Sequence, residues 1–317
     1  TGSFNVAIGR SSLSADTLGS TSVAVGHAAL ATQNFTTATN TYNTAVGYSA
    51  GNDITTGLRN TIIGGLAGDA LTDADDNTAL GMDALSTDTL GSRSTAVGKG
   101  ALNVQNFTTA TDSYNTAVGY GAGTAVTTGE QNTLIGGLAG EALTVGQNNV
   151  AMGVTALRTD VGGSRSVAIG RGALEAQNMG STDTNSHNTA VGYGAGAAVT
   201  TGDQNTLIGA AAGDALTVGN NNVAVGYEAL SGDTKGDRNV AIGRAALQAQ
   251  NFTTSTDSYN IGIGYGAGES ITTGIQNTLI GGLAGDSLTD ADFNIALGTS
   301  ALGADTLGSR STAIGYG

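Results

Sequence analysis

The 317-residue chain has no cysteine, no proline and no tryptophan. Without cysteine, neither a disulfide framework nor a thiolate metal site can form. Lys and Arg number only eleven against 25 Asp and Glu, giving a net charge of −14. A nucleic-acid groove needs a basic stripe to displace counterions, and this composition excludes one. The same charge opposes an anionic membrane surface. No apolar run is long enough to span a bilayer, and nothing near Thr1 resembles a signal peptide. Aromatic residues make up 4%, too few for an ordinary globular core.

Signals for catalysis are equally sparse. The two histidines are His27 and His187, and there is no nucleophile elbow, metal-binding His pair or phosphate loop. Paired carboxylates cleave glycans in some spikes, but every carboxylate here falls in a turn position with no distinguishing partner. Acidic clusters such as Asp73-Ala74-Asp75-Asp76 give way to Thr144-Val145-Gly146 in the corresponding place of the next block. No catalytic residue, metal site or cofactor is assigned, and the chain is expected not to be an enzyme.

What the chain has is glycine, 52 residues of it, placed with a period. Asn-Thr/Val-Ala-aliphatic-Gly, as in Asn43-Thr44-Ala45-Val46-Gly47, recurs every seventeen residues, with a spacing of 21 or 22 at every fourth step. A fixed short period is the signature of a solenoid. The expected fold is all-β: a parallel β-solenoid of about 18 coils, with a four-coil super-repeat of 72 or 73 residues. Residues 1–317 form one continuous repeat segment, with long loops at 33–42, 105–114, 177–187 and 250–259. Neither end carries a polar cap, so the segment is expected to continue into a longer fibre or to be covered by neighbouring chains.

Each coil is numbered here from its Asn. Position 1 is Asn or Ser, and stacked coils would place these side chains about 4.8 Å apart in a column. The amides of Asn43, Asn60, Asn77, Asn115, Asn132, Asn149, Asn188, Asn205, Asn222, Asn260, Asn277 and Asn294 would then form a structural ladder. Positions 2 to 4 form a strand, with Thr, Val or Ile at position 2 and an aliphatic residue at position 4. Position 3 is mostly Ala, with Ile62, Leu134, Leu207 and Leu279 once per block. Both faces of this strand are apolar and positions 1 to 5 never carry a charge. One thin coil can bury only one face. The other is expected to pack against further copies of the chain, and the position-3 column is assigned that seam. Gly at position 5 predicts a corner with positive φ or a close backbone approach. Beyond it, a second short strand of small residues and then a polar turn complete the expected coil.

Asn5-Val6-Ala7-Ile8-Gly9, Asn239–Gly243 and Ser166–Gly170 are similar to the head repeats of YadA-like trimeric autotransporter adhesins. Asn115–Gly123 and Asn188–Gly196 also resemble repeats of bacteriophage tail fibres. The resemblance spans the chain. It implies a left-handed β-roll assembled as a homotrimeric fibre, located outside the cell on a virion or a bacterial surface. The implied function is structural and adhesive: a tail-fibre-like shaft presenting host-contacting regions, or alternatively an adhesin head binding through its loops. The seventeen-residue coil is longer than the usual adhesin-head coil, and no neck, heptad stalk or anchor is present in the sequence.

The loops concentrate the aromatic residues. Each has Phe or Met near its start (Phe35, Phe107, Met179, Phe252) and Tyr or His at its end (Tyr42, Tyr114, His187, Tyr259). These eight are the candidate contacts for a host glycan or receptor, because aromatic faces stack on sugar rings. The alternative is that they plug the coil where the loop interrupts it. Arg93, Arg165, Arg238 and Arg310 each follow an Asp by five residues (Asp88, Asp160, Asp233, Asp305), so ion pairs between them are a further expectation.

Overall fold

The computed structural model describes residues 2–317. The chain is an all-β parallel β-solenoid of about 18 turns, each contributing one three-residue strand at positions 2 to 4. It divides into two compact units, residues 1–154 with 181–183, and residues 155–180 with 184–317. Unit one carries nine of these strands, from Val6–Ile8 to Val150–Met152. Unit two carries nine more, from Val167–Ile169 to Thr312–Ile314. Within each unit the register is strict: Thr44, Ala45 and Val46 stand opposite Thr61, Ile62 and Ile63, and so on from coil to coil.

The strands alternate as the pleat requires. Position 3 points inward and is fully buried within its own chain, from Ala24 and Ala45 to Leu279 and Ala296. Positions 2 and 4 point outward. This overturns the assignment of position 3 to a seam between chains: the outward apolar column is position 4, flanked by position 2. The physical reason is size. The interior of so thin a coil has room for Ala at most turns, whereas branched Val and Ile fit the open face.

The core is filled by exchange of volume between positions 3, 9 and 12, within a coil and between neighbouring coils. Where position 9 is Leu, as at Leu30 and Leu102, position 12 is the polar Gln33 or Gln105. Where position 9 is Gly, position 12 is aliphatic, as in Gly51 with Ile54 and Gly68 with Leu71. A Cβ on Gly68 would lie 2.9 Å from Leu71 Cδ1 and 3.0 Å from Ile62 Cδ1, so the two large side chains occupy its space. Where position 3 stays Ala beside a position-9 Gly, neighbouring coils fill the space: a Cβ on Gly123 would lie 2.6 Å from Leu134 Cδ1 and 3.1 Å from Leu102 Cδ2, as close packing demands.

The expected small-residue strand after the corner is absent. Positions 6 to 10 form a turn, because residues at positions 7 and 9 have positive φ (Ser49 51°, Leu66 57°, Leu85 54°, Leu102 49°). Left-handed backbone cannot continue a strand. A non-glycine residue there costs on the order of 1–3 kcal/mol. At position 9, burying the Leu side chain, as at Leu85 and Leu102, offsets it by about 1.5–3 kcal/mol. The only other strands among the described residues are two-residue pairs that dock the long loops, such as Gly19–Ser20 with Thr39–Asn40 and Gly236–Asp237 with Thr256–Asp257.

Position 5 is the tightest point. Gly47, Gly64, Gly81, Gly119 and Gly136 have φ between 131° and 146°. A Cβ on any of them would stand 2.5 Å or less from the carbonyl oxygen of the position-5 glycine one coil on. Gly136→Ala should therefore lower stability by roughly 2–5 kcal/mol, combining φ strain with a backbone clash. Its neighbour Gly137 has open space around the same virtual atom. Gly137→Ala should stay within about 0.5 kcal/mol of the parent, as surface substitutions do. Denaturant midpoints of the two variants check the contrast.

Candidate interaction surface

Two polar systems inside the coils hold the outward strand in place. In the first, most position-1 Asn side chains brace their own coil. Asn43 Nδ2 donates to Gly57 O at 2.7 Å, Asn132 Nδ2 to Gly146 O at 2.9 Å, and Asn205 Nδ2 to Gly219 O at 2.8 Å. Its Oδ1 accepts the backbone N–H of position 1 in the following coil, as Asn43 does from Asn60 and Asn60 from Asn77. Asn149 and Asn239 also donate to the preceding Asn at 3.1 Å. The column is thus mainly a strut across each coil and a bond to the next backbone, with amide-to-amide bonds second. All twelve ladder asparagines are buried, where an unpaired amide would be costly.

The second system was not expected. Once per block an Asp, buried at Asp88, Asp160 and Asp233 and half-buried at Asp16, meets a buried Gln at position 12 of successive coils. Gln105 Nε2 donates to Asp88 Oδ2 at 2.6 Å, and Gln105 Oε1 accepts from Asn115 Nδ2 at 2.9 Å. Asp88 Oδ1 accepts from the backbone N–H of Gly91 at 3.0 Å and of Phe107 at 3.1 Å. Gln33 with Asp16, Gln177 with Asp160, and Gln250 with Asp233 repeat the arrangement. These carboxylates therefore tie down the start of each long loop, and the expected pairing with Arg five residues on is corrected. Arg93 and Arg238 instead pair with Asp112 and Asp257, Arg165 donates to Asn185, and Arg310 lies over the Phe293 ring at 5.6 Å. The sequence signal was there: Asp and Gln occupy one register, seventeen residues apart.

The eight loop candidates separate into two groups. Phe35, Phe107 and Phe252 are buried, 5–6% exposed, and a Cβ on Gly91 would meet Phe107 Cδ2 at 2.8 Å. They plug the loop onto the coil. Met179 is half-buried. Tyr42, Tyr114, Tyr259 and His187 are exposed at position 17, held there with φ of 50–54°. Arg93 and Arg238 lie over the Tyr114 and Tyr259 rings at 5.6 and 5.5 Å, a cation–π arrangement.

The outward strand face thus runs between two exposed columns. Position 17 borders it on one side. Position 6 borders the other with Tyr48, Tyr120, Tyr193 and Tyr265, all more than half exposed. Between them, position 4 shows Ile63, Leu80, Met152, Ile208, Ile242 and Leu297 at 36–44% exposure, and no charge interrupts positions 1 to 5. Contiguous exposed apolar surface of this kind marks an interaction site.

Acidic side chains in the turns are mostly paired. Asp75 and Asp76 hold Arg59 at 3.1 and 2.6 Å, and that hydrogen bond keeps Asp76 below its ordinary value. No group of three or more His, Cys, Asp or Glu that could hold a metal ion occurs among the described residues. No helix among them is long and apolar enough to cross a membrane. Comparisons with protein-family models, curated proteins and solved structures found no match.

Two predictions follow from these side chains. Asp88→Ala removes three accepted hydrogen bonds and should cost about 3 kcal/mol. The measurement is hydrogen exchange of the 105–114 loop, whose protection should fall ahead of the strands. Asp214 is shifted the other way: burial raises its pKa above the ordinary 3.8. The folded state then binds the proton more tightly than the unfolded one, so stability is lost as pH rises from 3.8 through the folded value. Asp214→Asn should erase that part of the pH dependence and raise the denaturation midpoint at pH 7.

Proposed function

We propose that this chain is a structural and adhesive fibre segment, assembled as a homotrimer of left-handed solenoids outside the cell. The observation that carries the reading is the uncharged outward face of positions 2 and 4. Position 4 is aliphatic in every coil and position 2 is Thr, Val or Ile, in strict register, and the face lies between two columns rich in Tyr and Arg. Copies packed on this face would bury Val and Ile at position 4, about 25 cal/mol for each Å² removed from water. Flanking Tyr and Arg suit the rim of such an interface. The resemblance to trimeric adhesin heads and to phage tail fibres agrees with this arrangement. A tail-fibre-like shaft that presents host-contacting regions is the preferred form.

A lateral adhesin, binding host glycan or receptor through its loops, is the second reading. It is favoured by the exposure of Tyr42, Tyr114, Tyr259 and His187 at the loop ends.

Sedimentation of the intact chain tests the assembly. A three-chain mass at micromolar concentration is expected, and Val191→Lys with Ile208→Lys should reduce it to one chain with an unchanged β-sheet spectrum. A parent chain that sediments as a monomer would contradict the proposal. Replacing Tyr42, Tyr114 and Tyr259 by Ala separates the two readings: host attachment survives in a shaft and fails in a lateral binder.

A further inference from the structure

The position-6 column is stacked like a pile of plates with one plate missing in each block. His27 lies flat on Tyr48, with ring centroids 5.3 Å apart and planes 11° from parallel. Arg171 Cζ sits 5.7 Å from the centre of the Tyr193 ring, and Arg244 lies between Tyr227 and Tyr265 at 5.8 and 5.5 Å. The faces of these rings therefore look along the column. The coil after each Tyr has Gly65, Gly137, Ala210 or Gly282 at the same position. A Cβ built on any of the three glycines meets nothing within 4 Å. One rung of the stack is open: the forward face of Tyr48, Tyr120 and Tyr265 has no side chain from the next position 6 against it, and that of Tyr193 has only the Ala210 methyl.

The same coil that leaves the rung open supplies an acid at position 10: Asp69, Glu141, Asp214 or Asp286. Thirteen other coils have a residue at that position, and only two of them, with Glu175 and Glu269, place an acid there. Tyr193, Ala211 and Asp214 line one shallow groove of about 210 Å³ together with Arg171. Tyr120, Leu138 and Glu141 line another of about 130 Å³ together with Lys99, one block earlier in the sequence. Cation, ring, apolar floor and carboxylate thus recur in one register in these two grooves, and Tyr265 with Arg244, Leu283 and Asp286 repeats the sequence pattern, whereas Tyr48 with Asp69 has His27 in place of the cation. Asp69 adds a separate mark: its Oδ1 is shielded from solvent and has no hydrogen-bond partner.

We infer that each of these grooves binds a neutral hexopyranose unit of a surface polysaccharide, its C–H face stacked on the Tyr ring and its hydroxyls donated to the position-10 carboxylate. An aromatic face is electron-rich and attracts polarised C–H groups. An ionised carboxylate accepts O–H donors in strong, charge-assisted bonds. The open rung is about two coil spacings deep from the Tyr ring to the next side chain (Met82, Val154, Tyr227 or Thr299), roughly 9.6 Å, which admits one ring. The carboxylate and the net charge of −14 select against acidic sugars. Tyr48 and Tyr120 in one unit, and Tyr193 and Tyr265 in the other, lie four coils apart, about 19 Å, so a polysaccharide that reaches both members of a pair gains avidity. The inference goes beyond the fibre reading and does not depend on it, because each groove is complete within one chain.

Saturation-transfer NMR and calorimetry on the intact chain provide the test, with maltohexaose, cellohexaose, mannohexaose and galactohexaose as probes and oligogalacturonate as the anionic control. At least one neutral hexaose should bind at about 1 mM or tighter, with transfer to its ring C–H protons. Replacing Tyr48, Tyr120, Tyr193 and Tyr265 together by Ala should weaken it about tenfold or more, and the four Phe replacements should retain it. These rings are exposed, so the circular-dichroism spectrum should not change. Tyr42→Ala with Tyr114→Ala should leave binding intact. The inference is overturned if none of the four hexaoses binds, if binding ignores the position-6 rings, or if it follows Tyr42 and Tyr114 instead. It is also overturned if neighbouring copies in the assembly cover the grooves, seen as protection of these tyrosines from iodination. Sedimentation reports the assembly separately, so failure of the sugar sites and failure of the fibre reading are distinguishable.

Discussion

The constraint on which the rest depends is the passage of one coil over the next at position 5. There the backbones come so close that no side chain fits, and the chain turns with a φ that glycine tolerates best. This contact fixes the vertical spacing, which the backbone ladder of positions 2 to 4 then propagates. Once spacing and register are set, every other position becomes a column. Asn forms a column of struts, Ala a column of interior contacts, and Val and Ile a column of exposed apolar groups. Properties that are weak for one residue are multiplied by the number of coils, as nearest-neighbour coupling in a repeat array implies.

The interior handles its polar groups and its volume by the same rule. Buried Asn side chains would be a liability if unpaired, yet most amides bridge their own coil and accept from the next backbone, and Asn239 donates to Asn222 instead. The Asp–Gln pairs serve a narrower purpose. They occur where the coil is opened to let out a long loop, and they satisfy the backbone N–H groups exposed by that opening. Phe35, Phe107 and Phe252 close the same opening with apolar volume. Loop and coil are therefore joined by a charge-assisted network and a plug, which leaves Tyr or His at the far end of the loop free to face outward.

Much of this was legible in the sequence, and the parts that were not have physical reasons. Period, coil number and parallel stacking follow from the glycine spacing, because nothing else places an invariant small residue every seventeen positions. Which strand face points inward was misassigned, since Ala at position 3 and Val at position 4 are both apolar and period two alone does not choose between them. The deciding clue lay at a distance: Ile62 and Leu134 enlarge position 3 in the coils where Gly68 and Gly140 empty position 9. Two residues that exchange volume must share one interior. The second strand was expected because Ala and Gly are compatible with extended chain, but Leu at positive φ is invisible to propensity. Among the candidate contacts, the Phe residues at loop starts are plugs and the Tyr residues at loop ends are exposed, a difference set by the φ of 50–54° at Tyr42, Tyr114 and Tyr259. The open rungs beside Tyr48 and its equivalents were hidden because a missing side chain has meaning only once the columns are known.

The central claim is that the coil interior takes position 3 and leaves positions 2 and 4 as the surface on which copies of the chain meet. Cryo-electron microscopy of the assembly in solution, with its symmetry determined, tests it most directly. The account predicts three solenoids joined through Val and Ile of position 4, with the Ala column inside each coil and the position-6 rings accessible. A lone solenoid, or copies joined through any other face, would contradict it.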